Sequence, residues 1–172
     1  MELRDGEIEL RPWREEDAPA VYEACQDVEI QQWIPVIPRP YTMDDALAFV
    51  TGEAVPDITH SLAITERGEV VGAIGLRVND QSRTGNIGYW CAPHARGRGI
   101  TTRALRLVSR FGLQELELER LELITDPENR ASQRVAEKVG FQHEGVLRSH
   151  LVHPDGRRRD SVMFSLLPGE LV

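Results

Sequence analysis

The 172-residue sequence predicts a mixed α/β fold, and two repeating patterns are the reason. Short segments with alternating apolar and polar residues recur along the chain, as in strands that bury one face. Between them lie segments whose apolar residues recur every three or four positions, as on the buried side of a helix. Hydrophobic residues make up 41% of the chain, and no repeat or Pro/Ser linker interrupts it. We therefore expect one domain over residues 1–172 with one substantial core.

The N-terminal half is expected to alternate strands and helices. A short strand is predicted over 7–11, a helix from Glu15 to about Asp27, and a proline-rich loop over 28–41. Thr42, with Asp45 three residues later, forms a helix start of the capping-box type, with Asp in the place of the usual Glu or Gln. Residues 61–65 and 70–78 are then expected to pair as a hairpin.

The C-terminal half is expected to continue this alternation. Strands are predicted over 86–91 and 121–125. The helix between them has one apolar face, formed by Ile100, Ala104, Leu107, Val108 and Phe111. Asn129 is suited to cap a further helix, which Gly140 ends. Two last strands over 141–152 and 158–166 are expected to form a hairpin across Pro154-Asp155-Gly156.

The most informative segment is the glycine-rich turn Arg96-Gly97-Arg98-Gly99-Ile100-Thr101, which follows the apolar strand Ile87-Gly88-Tyr89-Trp90-Cys91. Glycines at two of these positions remove side-chain bulk, so the amides of residues 97–101 can converge on one anion. The start of the following helix adds a partial positive charge, and the arginines add full charges. The segment therefore predicts a ligand that carries phosphates.

Two common phosphate-binding motifs do not fit this turn. The dinucleotide fingerprint G-x-G-x-x-G requires a third glycine where this chain has Thr102. The P-loop pattern G-x-x-x-x-G-K-[ST] does not occur anywhere in the sequence. A Mg-nucleotide site with a phosphate-binding lysine is therefore not expected.

Two motifs resemble those of a known superfamily. Arg96-x-x-Gly99-x-Thr101 resembles the R/Q-x-x-G-x-G/A signature of the GCN5-related N-acetyltransferases (GNAT), whose loop binds the pyrophosphate of acetyl-coenzyme A. Thr101 stands where Gly or Ala is usual, but the loop acts through its backbone amides. The segment 126–141, in which Asn129-x-x-Ser132 opens a helix, resembles the RimJ/RimL-like branch. Further segments at 10–13, 33–35, 41–46, 144–148 and 160–167 are similar to that branch, so the resemblance covers nearly the whole chain.

This resemblance implies a particular fold and cofactor site. The fold would have a central, mixed, mostly antiparallel sheet of about seven strands with flanking helices. Its fourth and fifth strands, here 86–91 and 121–125, would splay apart, and the pantetheine arm of acetyl-CoA would lie in the wedge between them. The expected cofactor-binding residues are Tyr89, Trp90, Cys91, Arg96, Gly97, Arg98, Gly99, Ile100, Thr101, Asn129 and Ser132. Asn129 would form a hydrogen bond with the pantetheine amide. A role for Asn129 as a helix cap alone is an equally good interpretation.

Ser132 is the candidate catalytic residue. Many relatives use a tyrosine on the helix after the fifth strand to protonate the departing thiolate, but residues 130–139 contain none. The resemblance to the RimJ/RimL-like branch assigns this task to Ser132. The alternative is an ordinary first-turn serine that satisfies a backbone amide.

The residues that would bind the acceptor amine are indicated less clearly by the sequence. Trp33 and Tyr41 lie in the loop that shapes the acceptor pocket in relatives, and anchoring of that loop is the alternative for both. Asn86 stands where relatives often carry a glutamate base, and an amide cannot take a proton. Glu144 or Asp160 acting through water is left open.

The missing base favours acceptors that are already neutral. A lysine amine with a pKa of about 10.4 is neutral roughly 0.04% of the time at pH 7, and an α-amine with a pKa of about 7.8 roughly 14%. The difference corresponds to about 3.5 kcal/mol. The sequence therefore predicts an α-amine or a weakly basic amine as acceptor.

Composition limits the partners further. With 20 basic and 28 acidic residues, the net charge of -8 argues against nucleic-acid binding. No apolar run approaches about 18 residues and the first ten residues are strongly charged, so neither a membrane span nor a signal peptide is expected. We therefore expect a cytoplasmic protein. Cys25 and Cys91 form neither a disulfide framework nor a zinc pattern, and both are expected to be reduced core thiols.

The resemblance thus implies an acetyl-CoA-dependent N-acetyltransferase that acts by direct transfer through a tetrahedral intermediate and requires no metal. Its preferred acceptor would be a protein or peptide N-terminal α-amine, as in ribosomal-protein-alanine acetyltransferases. Alternatives are a small-molecule amine such as a polyamine, amino acid or antibiotic, or a non-catalytic protein that binds acyl-CoA as a sensor. The oligomeric state, a homodimer among the options, is left open.

Overall fold

The computed structural model describes residues 2–153 and 155–172, so Pro154 of the predicted last turn lies outside the described residues. The strands are β1 (Leu3–Asp5), β2 (Ile8–Pro12), β3 (His60–Glu66), β4 (Glu69–Asn79), β5 (Thr84–Cys91), β6 (Arg120–Thr125), β7 (Gln142–Val152) and β8 (Arg158–Leu166). The α-helices are α1 (Ala18–Cys25), α2 (Val28–Trp33), α3 (Met43–Val50), α4 (Ile100–Arg110) and α5 (Arg130–Val139). None of these helices is long and apolar enough to cross a membrane.

The strands form one sheet in the order β1-β2-β3-β4-β5-β6-β8-β7. Only β5 and β6 are parallel, and every other neighbouring pair is antiparallel, which confirms the predicted mixed sheet. The described sheet has eight strands where about seven were expected. The additional strand is β1, which pairs with β2 at the edge and whose three residues are partly or fully exposed. Its short, exposed sequence has no apolar alternation by which it could be predicted.

Helices cover both faces of the sheet. On one face α4 and α5 enclose the main core, whose largest fully buried side chains include Phe164, Leu105 and Leu121. On the other face α1, α2 and α3 enclose a second cluster that contains Trp90. Alternation along β5 separates the two sets, because Tyr89 and Cys91 pack against the main core while Trp90 packs against the second cluster.

The parallel pair β5 and β6 opens into a wedge. Their pairing ends at Ile87 and Leu123. Beyond this point β5 continues to Cys91 beside β4, and β6 continues to Thr125 beside β8. One edge of the backbone of Gly88–Cys91 therefore has no strand partner among the described residues. The predicted separation of the strands over 86–91 and 121–125, which are β5 and β6 in the structure, is confirmed here.

The predicted loop over 28–41 was wrong at its start, where the structure has the short helix α2. Asp27 caps this helix, because its Oδ1 accepts a hydrogen bond from the Ile30 amide at 2.9 Å. Only Ile30 of the six helix residues is buried, so the segment shows no helical repeat of apolar residues. The capping box at the start of α3 is confirmed: the Thr42 amide donates to Asp45 Oδ2 at 2.8 Å, and the Asp45 amide donates to Thr42 Oγ1 at 3.2 Å.

A buried ion pair joins β2 to the start of α1. Arg11 donates to both carboxylate oxygens of Asp17 at 2.7 and 2.9 Å, and the two side chains are only 7% and 6% exposed. Burial by itself raises the pKa of Asp17, but the hydrogen bonds from Arg11 and from the Arg14 amide outweigh it and hold the pKa below its usual range. A carboxylate with a lowered pKa stabilises the fold above its ordinary pKa and loses that contribution in acid.

We expect Asp17→Asn to lower the free energy of unfolding by about 3 kcal/mol at pH 7, because it leaves the buried Arg11 charge without a counter-charge. The difference from wild type should be constant above about pH 5 and shrink below about pH 4, as Asp17 itself becomes protonated. Urea unfolding across this pH range measures it. Glu16→Gln, in an exposed pair with Arg14, is the matched control and should leave stability unchanged. A difference that stays constant down to pH 2 would contradict the assignment.

Candidate functional site

The glycine-rich turn places free backbone donors at the start of α4. Gly97 and Gly99 have φ angles of 75° and 76°, in the left-handed region, and Gly99 is the residue that caps α4. None of the described residues accepts a hydrogen bond from the amides of residues 97–102. The Arg103 amide, which donates to the Gly99 carbonyl at 3.1 Å, begins the helical pattern. These free amides and the helix dipole suit an anion with several oxygens, such as a pyrophosphate.

The two glycines are needed for their backbone angles. A Cβ atom added at Gly97 or Gly99 would have no other atom within 4 Å, so crowding by the protein is not the constraint. A positive φ is costly for other residues, and the free space outside the turn is the space through which a ligand would approach.

The arginines of the turn are held by carboxylates. Arg96 donates to Asp27 and to Glu29 at 2.6 Å each, and its Nε donates to the Cys91 carbonyl at 3.3 Å. Arg98 donates to both oxygens of Glu66 at 2.7 and 2.8 Å. From the sequence, these charges are expected to lie beside the pyrophosphate. Arg96 ties the turn to the start of α2, while the backbone amides of the turn and the Nε and Nη1 groups of Arg98 donate to none of the described residues.

Ser132 lies in the first turn of α5, on the side of the wedge opposite the glycine-rich turn. Asn129 caps this helix, because its Oδ1 accepts from the Ser132 amide at 3.0 Å. This contact is the helix-cap role foreseen for Asn129. Its side-chain NH₂ group donates to none of the described residues, so it is free to bond a ligand carbonyl as well.

The side chain of Tyr89 reaches across the wedge to Ser132, a contact that sequence reasoning missed. Its hydroxyl lies 2.9 Å from Ser132 Oγ and 3.3 Å from the Ser132 carbonyl oxygen. Burial raises the pKa of Tyr89, and the hydrogen bond with Ser132 offsets this only in part, so the phenol is neutral. From the sequence, Tyr89 is expected only among the cofactor-binding residues. Its place on the strand indicated which face it would occupy, but no local signal named its partner.

The three residues expected on the acceptor side do not come together. Trp33 lies at the end of α2, where its carbonyl accepts from Arg159 Nη2 at 3.2 Å, and Arg159 pairs with Asp126 at the end of β6. Trp33 is therefore linked to the wedge. Tyr41 is only 7% exposed and packs in the second cluster, so its side chain anchors the loop to the core, which was the alternative.

Asn86 occupies a different place from Trp33 and Tyr41. It lies near the start of β5, about 10 Å of strand before Tyr89. It lines an open cavity of about 550 Å³ together with Arg77, Val78, Asn79, Asp80, Gln81, Thr84 and Glu122. Asp80, Glu122 and Arg77 give this cavity charged groups of both signs.

The carboxylates left open as bases are both engaged. Arg120 donates to the two oxygens of Glu144 at 2.7 and 2.6 Å, and Ser165 Oγ donates to it at 2.7 Å. These hydrogen bonds, that of Arg120 first, lower the pKa of Glu144 to about 2. These contacts leave Glu144 a weak base at pH 7. Asp160 accepts from the Ser149 amide at 2.7 Å, out on the β7–β8 hairpin.

Known proteins with this fold and these motifs are acetyltransferases. Residues 7–142 match the family model described as an acetyltransferase (GNAT) domain. YdaF of Bacillus subtilis, which is named provisionally as a ribosomal N-acetyltransferase, is 38% identical over 104 residues. That match covers 60% of this chain and 56% of YdaF, so the chain spans little more than half of that relative.

Two further relatives match nearly the whole chain. Spermidine N(1)-acetyltransferase of Escherichia coli K12 is 27% identical over 161 residues, which are 92% of this chain and 85% of that protein. The solved structure of Mycobacterium smegmatis RimJ, in complex with CoA-disulfide, is 28% identical with a TM-score of 0.85, over 99% of this chain and 88% of that one.

The family domain covers most of the chain, and the splayed β5–β6 pair and the amide-lined turn both lie within it. The protein therefore belongs to the GCN5-related N-acetyltransferase superfamily, in its RimJ/RimL-like branch, and is an acetyl-CoA-dependent N-acetyltransferase.

Proposed function

We propose that the protein transfers the acetyl group of acetyl-CoA to the N-terminal α-amine of a protein or peptide, with Ser132 as its proton donor. The observation that carries this proposal is the position of Ser132 at one side of a wedge whose other side carries the free amides of residues 97–102. When the pyrophosphate of acetyl-CoA binds that turn, the rest of the molecule extends along the wedge and brings the thioester toward the first turn of α5.

The residues of the chain divide the work of binding. The free amides of the turn suit the pyrophosphate, and the unpaired backbone edge of Gly88–Cys91 suits the pantetheine arm and the thioester carbonyl. Asn129 has a free NH₂ group for a pantetheine carbonyl. Acetyl-CoA supplies the activated acyl group. Ser132 then supplies a proton to the sulfur that leaves.

The choice of an α-amine is supported by the groups present at the positions considered for a base. Asn86 cannot take a proton, Glu144 has a pKa of about 2, and Asp126 is held by Arg159 at 2.7 Å. The site therefore suits an acceptor that is substantially neutral at pH 7. A resemblance to YdaF, named for ribosomal N-acetylation, supports the same choice. The spermidine acetyltransferase relative and the net charge of -8 make a polyamine the second candidate.

Gly99→Ala tests the role of the turn. We expect it to weaken acetyl-CoA binding about tenfold, because the alanine side chain resists the left-handed φ and enters the space in front of the amides. Isothermal titration calorimetry measures the affinity. Gly68→Ala is the matched control, since Gly68 also has a positive φ and open space but lies in the β3–β4 turn. Equal affinity in both variants would argue against the turn as the phosphate site.

Ser132→Ala tests the proton donor. We expect kcat to fall about a hundredfold while the dissociation constant for acetyl-CoA stays within threefold, because the hydroxyl acts in the chemical step and not in binding. The control is Ser109→Ala, a second helical serine, whose buried Oγ has no hydrogen-bond partner among the described residues. Full turnover in Ser132→Ala would remove this role, and tight acetyl-CoA binding without turnover in the wild type would favour the sensor.

An acceptor panel tests the substrate class. At pH 7 we expect peptides with a free N-terminus to exceed the same peptides blocked at the N-terminus but carrying a lysine by at least about a hundredfold in kcat/KM, because of the fraction of neutral amine. The rate with α-amines should rise with pH and level off above about pH 8. Spermidine completes the panel. Faster turnover of lysine side chains or of spermidine would overturn the preference.

A further inference from the structure

Tyr89 and Ser132 form a hydroxyl pair that the acceptor and cofactor contacts do not explain. Their hydroxyl oxygens are 2.9 Å apart, although the residues are 43 positions apart in the chain. Tyr89 comes from β5 and Ser132 from α5, so the pair bridges the two elements that border the wedge.

We propose that Tyr89 is a positioning residue that donates its hydroxyl hydrogen to Ser132 Oγ and thereby directs the Ser132 hydroxyl hydrogen into the wedge. This inference rests on the proposed function of Ser132. It assigns a role to the side chain of Tyr89, for which the sequence contains no local signal.

The distances favour Tyr89 as the donor to Ser132 Oγ. The phenol has one hydrogen to donate and two acceptors near it, Ser132 Oγ at 2.9 Å and the Ser132 carbonyl at 3.3 Å. Bonds between hydroxyl groups normally span 2.5 to 3.0 Å, so Oγ is the better acceptor. When Oγ accepts from Tyr89, its own hydrogen is free to point elsewhere.

Without Tyr89 the Ser132 hydroxyl has an alternative partner. A serine inside a helix readily donates to the backbone carbonyl one turn earlier, which directs its hydrogen away from a ligand. The bond from Tyr89 occupies Oγ and holds the side chain on the wedge side of α5. It also polarises the Ser132 hydroxyl, because a hydroxyl that accepts a hydrogen bond becomes a stronger donor.

The Tyr89 phenol can donate throughout the physiological pH range. Burial raises its pKa, so the hydroxyl keeps its proton. Tyr89 therefore orients the donor and does not itself lose a proton.

The proton balance of the transfer is then complete. A bond forms between the amine nitrogen and the acetyl carbon, and the carbon–sulfur bond breaks with its electron pair moving to sulfur. The Ser132 hydroxyl gives its proton to that sulfur, and the proton that the amine nitrogen loses replaces it on Oγ. Ser132 ends as it began, and Tyr89 has kept its proton.

The test is the acidity of the CoA thiol bound to the protein, because it needs no acceptor amine. Thiolate absorbance is titrated in the CoA complex, and the titration of the complex with desulfo-CoA, which lacks the thiol, is subtracted to cancel the protein's own groups. A hydrogen bond from Ser132 to the thiolate should lower the thiol pKa by about one unit. We expect Ser132→Ala to abolish this shift and Tyr89→Phe to abolish most of it.

The double variant and a control complete the experiment. Tyr89→Phe in the Ser132→Ala background should change nothing further, and kcat with an N-terminally free peptide should follow the same pattern, with about a fivefold loss in Tyr89→Phe alone. The CoA dissociation constant should stay within threefold. Tyr22→Phe removes the hydroxyl of a half-exposed tyrosine on α1 and should leave both the thiol acidity and kcat unchanged.

The failures can be told apart. If CoA does not bind the wild type, the proposed function fails. If Ser132→Ala leaves the thiol acidity unchanged, Ser132 is not its donor and the role of Tyr89 falls with it. If Ser132→Ala removes the shift and Tyr89→Phe does not, only the Tyr89 proposal is overturned.

A second measurement does not depend on the folding of Tyr89→Phe. In protein with ¹³C-labelled tyrosine rings, the Cζ resonance of Tyr89 should move on Ser132→Ala, whereas those of Tyr22 and Tyr41 should not. A Tyr89 resonance that stays in place would show that the hydrogen bond is not formed in solution and would overturn the proposal.

Discussion

The active architecture depends on the point at which β5 and β6 stop pairing. Up to Ile87 and Leu123 the two strands satisfy each other's backbone groups, as in any parallel pair. Beyond it each strand stays in the sheet through its other neighbour, so the opening costs hydrogen bonds on one edge only. An extended ligand with amide groups can replace the missing strand. The helices α4 and α5 begin at this opening, which brings two helix N-termini to one place.

The arginines of the glycine-rich turn are paired with carboxylates of the protein itself. They are neutralised by Asp27, Glu29 and Glu66, and they brace the turn against the rest of the fold. The free backbone amides and the helix dipole are donors that suit an anion. Such donors are fixed in direction and lose little conformational entropy on binding, unlike long arginine side chains. Glu144 on β7 is likewise paired, with Arg120.

The sequence predicted most of the fold because its signals are local. The caps at Thr42 and Asn129 and the left-handed glycines each depend on residues within one turn of chain. Predictions failed where the signal was short or exposed, as in β1 and α2, which bury too few residues to show a period. The positions of the expected acceptor residues were harder to predict. The burial of Tyr41, for example, depends on the packing of α1 against α3 and not on its own neighbours in the chain.

The sequence by itself determined the order of the longer elements, the amide-lined turn and the serine at the start of α5, since backbone conformation there follows from residues a few positions apart. The tertiary structure decided what those groups meet. Tyr89 finds Ser132, Arg96 finds Asp27, and Glu144 finds Arg120 only after strands and helices distant in the chain are packed together. The reason is physical: a hydrogen bond or ion pair depends on distance in space, and separations of 24 to 69 residues leave no trace of that distance in the local sequence.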